Sequence, residues 1–311
     1  MRDVGGIVWG MPARIIDGKA LAEQYRVVLA QRVKGVQARG GQVRLDAVLV
    51  GTADNGARVY AENQGKTCNA VGIGYKLHEL GTEAEDATYD DIAGRVLLLN
   101  TQEHVHAVML HMPLPEGIDP YSVQRLIAPE KDVEGVNPAN IGNVVYGRSS
   151  LAPCTALAVV KMLESTGVQL RGKRCLVIGA SDVVGKPIAV LLMRTEATVI
   201  SCNKFTGAET VAGLAREADV IVSAAGVPGL VTAGMVRPGV IVVDVGVNRV
   251  AGEMGKSKTV GDVAFAEVRE KLGPGGWISP VPGGVGPMTV TMLLLNVVRS
   301  AERAVGIAGE E

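Results

Sequence analysis

The stretch RCLVIGASDVVGKPIAVLLMR, residues 174–194, decides the fold. Its first five residues, Arg174–Ile178, form a short apolar run closed by a glycine, which reads as a buried strand. From Val184 to Arg194 the apolar residues recur at helical spacing. A strand therefore feeds a helix through Gly179-Ala180-Ser181-Asp182-Val183-Val184-Gly185. Gly179 lets the backbone turn tightly, and Gly185 lets the helix pack closely on the sheet. The helix N-terminus adds amides and a positive dipole end, and the whole makes a cradle for a pyrophosphate. The middle glycine of GxGxxG is missing and Ser181 stands nearby, so a plain glycine-rich turn is the competing reading.

Outward from this turn the pattern repeats. The next strand, Thr198–Cys202, runs into Asn203 and Lys204. In Rossmann-type folds an acid at this place binds a ribose 2′-hydroxyl, and a basic group accepts a 2′-phosphate. Lys204 with no adjacent Asp or Glu favours NADP over NAD, against the plainer reading of a solvated lysine. Val220–Ala224 and Val240–Val245 follow as strands with helices between, and Thr289–Arg303 is a closing helix.

Upstream, Ala20–Val36, Arg58–Val71 and Tyr89–Asn100 read as helices; Arg44–Val50, Gly74–Leu80 and Ala107–Met112 read as strands. Ser122–Ile127 reads as a short helix before the segment Pro129–Asn140. Gly147, Arg148, Ser149 and Ser150 have turn chemistry and mark a boundary near residue 150. Thr155–Ser165 resumes as helix. Alternating helices and short β-branched strands predict two α/β domains, the second a Rossmann-type unit with a parallel sheet. The expected division is 1–150 and 151–288, with the helix 289–305 returning to the first domain. Residues 1–12 lie outside the pattern and read as an extension.

Composition narrows the partners. Lys+Arg of 31 against Asp+Glu of 32 leaves no basic excess to track a phosphate backbone. Two Trp, six Tyr and two Phe offer few platforms for stacked bases. The longest uncharged apolar-rich stretch, Val220–Val236, contains Pro228 and three glycines, which argues against a membrane span. The opening MRDVGGIVWGMP lacks a basic start followed by an apolar run, so no secretory signal is expected. Cys68, Cys154, Cys175 and Cys202 have no metal-ligand spacing, so no metal is expected; they read as reduced thiols of a cytoplasmic protein.

Several ordered motifs then carry a resemblance. They are Ile15-Ile-Asp-Gly-Lys-Ala20, Leu49-Val-Gly51 with Tyr60, Met112-Pro-Leu-Pro115, Lys131-Asp132 and Pro153-Cys-Thr155. Gly179-Ala-Ser181, Asp244-Val-Gly-Val-Asn-Arg249 and Pro280-Val-Pro-Gly-Gly-Val-Gly-Pro-Met-Thr-Val290 complete the series. From about Ala13 to Val298 the chain resembles the bifunctional methylenetetrahydrofolate dehydrogenase/cyclohydrolase family, the FolD proteins. The resemblance implies an N-terminal catalytic domain, an NAD(P) domain, a folate-type substrate in a cleft between them, and a homodimer. It places Gly179, Ala180, Ser181 and Val247 at the cofactor, beside Gly185 and Lys204 from the reading of the turn and strand end above. It places Pro282, Gly283 and Gly284 along the folate cleft, with Tyr60 beside the pterin and Asp132 and Glu134 as substrate-binding acids.

Three positions depart from the family pattern. The family reads Tyr-x-x-x-Lys, with both side chains on one helical face; here Tyr60 is followed at that spacing by Gln64. Lys66 lies about 200° around the helix from Gln64 and does not substitute for a lysine there. His111 stands where the family has Gln, and Glu134 where it has Asp. Hydride transfer needs geometry and electrostatic support, but hydrolysis of the methenyl product needs a group that moves protons. Gln64 cannot accept a proton near neutrality; a histidine with its ordinary pKa of ~6.5 can. The expected activity is NADP-dependent oxidation of methylenetetrahydrofolate with doubtful cyclohydrolase activity, Tyr60, Gln64 and His111 being the candidate catalytic residues. The alternatives are a dehydrogenase for another tetrahydropterin carrier and a non-catalytic NADP- or folate-binding protein.

Overall fold

The computed structural model describes residues 11–51, 55–81, 87–148, 151–251 and 257–307. The chain divides into two compact units, one holding 11–22 with 155–289 and the other 23–154 with 290–307. The described chain opens with a two-residue strand β1 (Arg14–Ile15) and a long helix α1 (Gly18–Ala38).

The second of these units is built on three parallel strands, β2 (Arg44–Val50), β3 (Gly74–Leu80) and β4 (Ala107–Leu110), in the order β3-β2-β4. Every residue of β2 after Arg44 is buried, as a central strand requires, whereas β3 at the edge buries only His78. Helices α2 (Asn55–Ala70) and α3 (Tyr89–Thr101) follow β2 and β3. Val48, Val50, Val108 and Leu110 of the sheet pack with Ile92, Val96 and Leu99 of α3.

Polar side chains punctuate this unit. Thr88 and Asp91 cap the start of α3 reciprocally, each accepting the other's amide. At the far end of α3, Lys131 Nζ donates to the carbonyls of Leu99, Asn100 and Gln102 at 3.2, 2.7 and 2.8 Å. Asp119 and Asn137 cap α4 (Pro120–Gln124) and α5 (Pro138–Tyr146), each with proline at the first helical position.

The first unit carries six parallel strands. After α6 (Cys154–Glu164) come β5 (Arg174–Ile178), α7 (Gly185–Arg194), β6 (Thr198–Cys202), α8 (Ala208–Glu217) and β7 (Val220–Ser223). Then follow β8 (Ile241–Asp244), the antiparallel pair β9 (Asn248–Ala251) and β10 (Ser257–Val260), α9 (Phe265–Leu272), β11 (Trp277–Ile278) and α10 (Val285–Ala304). The sheet order is β1-β11-β8-β7-β5-β6. All residues of β7 and β8 are buried, the pattern of strands covered on both faces.

Several expectations change. The first described residues do not belong with residue 23 onward: Arg14 and Ile15 pair with Trp277 and Ile278 in the six-stranded sheet. A two-residue strand is too short to show a period, which is why β1 and β11 escape sequence reading. β4 stops at Leu110 rather than Met112. The helix expected at Ser122–Ile127 lies at Pro120–Gln124, drawn toward the Asp119 cap. The region around Pro129–Asn140 and Val145 contains α5, whose Asn-Pro start and Gly147 end are local signals rather than a long period. The closing helix begins at Val285, with Pro287 in its first turn, where a missing amide loses no helical bond. Residues 1–10 of the extension expected at 1–12, and the turn residues Ser149 and Ser150, lie outside the described residues. Among the described residues no helix is long and apolar enough to cross a membrane.

Candidate functional site

In the six-stranded unit, β5 delivers its chain to the turn that opens α7. Gly179 has φ +107°, and a Cβ there would come within 2.1 Å of the Ala224 carbonyl oxygen. A Cβ on Gly185 would meet the Gly179 carbonyl oxygen at 1.9 Å. Both positions therefore require glycine. Ser181 Oγ accepts the Gly185 amide at 3.3 Å, and the Ser181 carbonyl accepts the Lys186 amide at 3.0 Å. Ala180 and Ser181 form the rim of a cavity of about 780 Å³, bounded also by Lys204, Phe205, Ala225 and Val227. Lys204 is exposed, and its ammonium stands 5.0 Å from the centroid of the Phe205 ring.

A buried carboxylate fixes the segment that carries Ala225 and Val227, which line the same cavity. Asp262 accepts the amides of Ala225, Gly226 and Val227 at 2.7, 3.1 and 2.9 Å. It also accepts from Asn248 Nδ2 at 3.0 Å and Ser223 Oγ at 3.1 Å. Asp244 in turn accepts the amides of Gly246, Asp262 and Val263; burial raises its pKa to about 6 against those bonds. Val247, between this frame and β9, is 70% exposed. Sequence reading missed Asp262, whose only signal is an acid set directly before apolar Val263.

Pro282, Gly283 and Gly284 lie in the same unit, ahead of α10. The Gly283 carbonyl accepts the Lys19 amide at 3.2 Å, and Gly18 lies so close to Gly284 that a Cβ would meet its oxygen at 1.8 Å. The segment is thus tied to the start of α1.

The three-stranded unit gathers the other candidates. Tyr60 and Gln64 share one face of α2, and His111 follows β4. The rings of Tyr60 and His111 meet edge to face at 5.8 Å and 83°. Gln64 is 3% exposed; its Nε2 donates to Met109 Sδ at 3.0 Å, and its Oε1 is buried without a partner among the described residues. His111 is equally buried, and burial pushes its imidazole down to about 4. The ordinary value near 6.5 expected from sequence is thereby corrected. The Tyr75 hydroxyl, which sequence reading did not single out, stands 3.4 Å from His111 Nε2.

Glu134 is half-buried, with Oε2 buried and unpartnered among the described residues. Burial, then the neighbouring Asp132, raise its pKa to about 8, opposed by a bond from the Leu110 amide. Asp132 is different. It is fully buried, and its oxygens accept from the Gly135 and Asn137 amides and Asn140 Nδ2 at 3.2, 2.8 and 2.9 Å. These bonds make Asp132, expected from sequence to meet substrate, a frame for the loop that carries Glu134. Asn296 of α10 supports the same loop, donating to the carbonyls of Val133 and Ala152 at 2.8 and 3.0 Å. A lone Asn in the apolar run Met292–Val297 was the sequence signal for that buried role.

Comparison with known proteins identifies the family of both halves of the chain. Residues 16–134 match the family described as tetrahydrofolate dehydrogenase/cyclohydrolase, catalytic domain, and residues 153–305 match its NAD(P)-binding domain. A bifunctional protein FolD from Cupriavidus taiwanensis is 46% identical over 299 residues, covering 95% of this chain and all of its own. The crystal structure of the bifunctional FolD dehydrogenase/cyclohydrolase from Campylobacter jejuni superposes with a TM-score of 0.86 at 37% identity, covering 94% of this chain and 99% of its own. The Trypanosoma brucei enzyme, solved with NADP cofactor and inhibitor, gives a TM-score of 0.87 at 34% identity over 95% of this chain and 99% of its own. With both domains matched in order and relatives aligned nearly end to end, the chain belongs to the tetrahydrofolate dehydrogenase/cyclohydrolase family.

Proposed function

We propose that the chain is an NADP-dependent methylenetetrahydrofolate dehydrogenase that releases its methenyl product largely unhydrolysed. The observation that carries this reading is Gln64. It sits one helical turn after Tyr60, where the family pattern has lysine, and its buried carboxamide neither gives up nor accepts a proton near neutrality.

The nucleotide cradle fits the cofactor, because glycine at 179 and 185 permits the tight turn and the close helix packing that a pyrophosphate-binding turn needs. Gly179, Ala180, Ser181 and Gly185 hold the pyrophosphate, Lys204 takes the 2′-phosphate, and Val247 borders the bound nucleotide. NADP, when bound, supplies the acceptor for a hydride. Tyr60 supports the pterin, Pro282–Gly284 line the folate site, and Glu134 pairs with the pterin's amino and ring N–H groups. Oxidation of the methylene bridge then needs orientation but no proton acceptor.

Hydrolysis is different. A positioned acid or base contributes typically 10²- to 10⁴-fold, and its pKa works best near the operating pH. His111 at about 4 is far below it. Glu134 titrates closer to neutrality, but pairing with the pterin occupies its carboxylate. Methylenetetrahydrofolate and NADP mixed with the protein should yield NADPH at a rate proportional to enzyme. NADP binding without turnover on this folate would reject the reading; turnover only on another tetrahydropterin would favour a changed carrier. From the family resemblance we also propose a cytoplasmic homodimer, which sedimentation at a single protomer's mass would overturn.

A further inference from the structure

Gly65 and His111 are linked by a residue that no motif contains. Tyr75 lies on the edge strand β3, and its ring rests against α2 at Gly65. A Cβ built on Gly65 would stand 2.8 Å from Tyr75 Cδ1, closer than real carbons approach, and 3.0 Å from Cε1. Any side chain at 65 displaces the ring. Glycine inside a helix is less favourable than alanine by ~1 kcal/mol, yet here it occupies the middle of α2, next to Gln64. The space it leaves is filled by the tyrosine.

From that place the Tyr75 hydroxyl reaches His111 Nε2 at 3.4 Å, while the Tyr60 ring meets the imidazole edge to face. Two tyrosines thus contact the ring, one from α2 and one from β3. Burial raises the Tyr75 phenol above its ordinary value and lowers His111, so both are neutral at pH 7. The titratable groups gathered here are Tyr60 and Cys68 of α2, Tyr75 of β3 and, toward Tyr60, Glu134 and Cys154.

We propose that Tyr75 is a positioning residue for His111. Its O–H donates to Nε2, which leaves the ring proton on Nδ1, and Gly65 exists to house the phenol. The imidazole then presents one fixed donor to a bound ligand in place of two interchanging tautomers. This assignment rests on the proposed dehydrogenase reading for its consequence in turnover, but not for its geometry.

Nitrogen NMR of the full chain labelled at histidine tests it. His111→Gln assigns the His111 signals among those of the four histidines. In the wild type, Nε2 should show the shift of an unprotonated, hydrogen-bonded nitrogen, and Tyr75→Phe should move it toward a tautomer mixture. Because the lost bond favoured the neutral ring, the imidazole pKa should rise by about half to one unit in that variant. Gly65→Ala should reproduce this shift, whereas in a Tyr75→Ala background it should add nothing further. With methylenetetrahydrofolate, Tyr75→Phe should lower kcat severalfold and leave the KM for NADP unchanged. Identical His111 spectra in wild type and a folded Tyr75→Phe variant would overturn the proposal whatever the activity. A wild type that never turns over this folate defeats the dehydrogenase reading and leaves the spectra to judge Tyr75.

Discussion

Replacing Glu134 by Gln separates what burial does to this carboxyl from what a ligand does. In the ligand-free protein its pKa rises from 4.5 to about 8, mainly because burial penalises the charge. The folded state therefore holds the proton more tightly than the unfolded chain. The associated stability is fully present below pH 4.5 and is lost as pH rises through about 8. At ~1.4 kcal/mol per unit the loss is on the order of a few kcal/mol. A glutamine cannot ionise, so Glu134→Gln should remove that slope. Urea unfolding of both proteins without ligand, from about pH 5 to about pH 9, reads the difference directly. The wild type should lose stability toward alkaline pH relative to the variant. Parallel profiles would refute the buried, proton-holding carboxyl. The ligand reverses the preference, since pterin amino and ring N–H groups favour the carboxylate. Folate binding at pH 7 should then release a proton, which calorimetry in buffers of different ionisation enthalpy detects. In the variant, loss of a charge-assisted bond of about 1.5–3 kcal/mol should weaken folate roughly 10- to 100-fold.

Lys204→Asp should weaken NADP while sparing NAD; equal losses of both, measured as KM, would assign Lys204 to folding or the pyrophosphate instead. Gly185→Ala forces a Cβ to within 1.9 Å of the Gly179 oxygen and should abolish NADP binding by fluorescence titration while lowering Tm; wild-type affinity would show that the turn adapts. His111 is protonated only as pH falls through about 4. The pH profile of NADPH formation should thus lack an acid limb near 6.5, in the wild type and in His111→Gln alike. A limb there that disappears in the variant would restore the histidine as a base.

Much of this was legible in residues 174–204, where a long-range function is written locally. A glycine forced by φ +107° and a second forced by close approach leave a spacing that any reader of the chain can find. Central strands such as β7 and β8 were legible for a similar reason, as unbroken apolar runs. The substitutions at 64, 111 and 134 were visible against the family pattern, but their electrostatics were not. Burial moves the Glu134 carboxyl and the His111 ring in opposite directions, with Asp132 adding to the rise at Glu134, and burial is a tertiary property. Asp132 looked like a substrate acid because it is a charged residue in a motif; only its three bonds reveal a loop brace. Tyr75 was invisible because a half-buried tyrosine on an edge strand carries no periodic signal, and its partner is 36 residues away.

The claim that Gln64 uncouples the two activities is tested most directly by supplying methenyltetrahydrofolate itself and following its disappearance with and without the protein. A lysine-dependent hydrolase should accelerate that decay by about 10²- to 10⁴-fold. Here the decay should match the buffer rate, while methylenetetrahydrofolate and NADP give NADPH and methenyl product in equal amounts. Protein-dependent decay as fast as NADPH formation, with no methenyl product accumulating, would contradict the account.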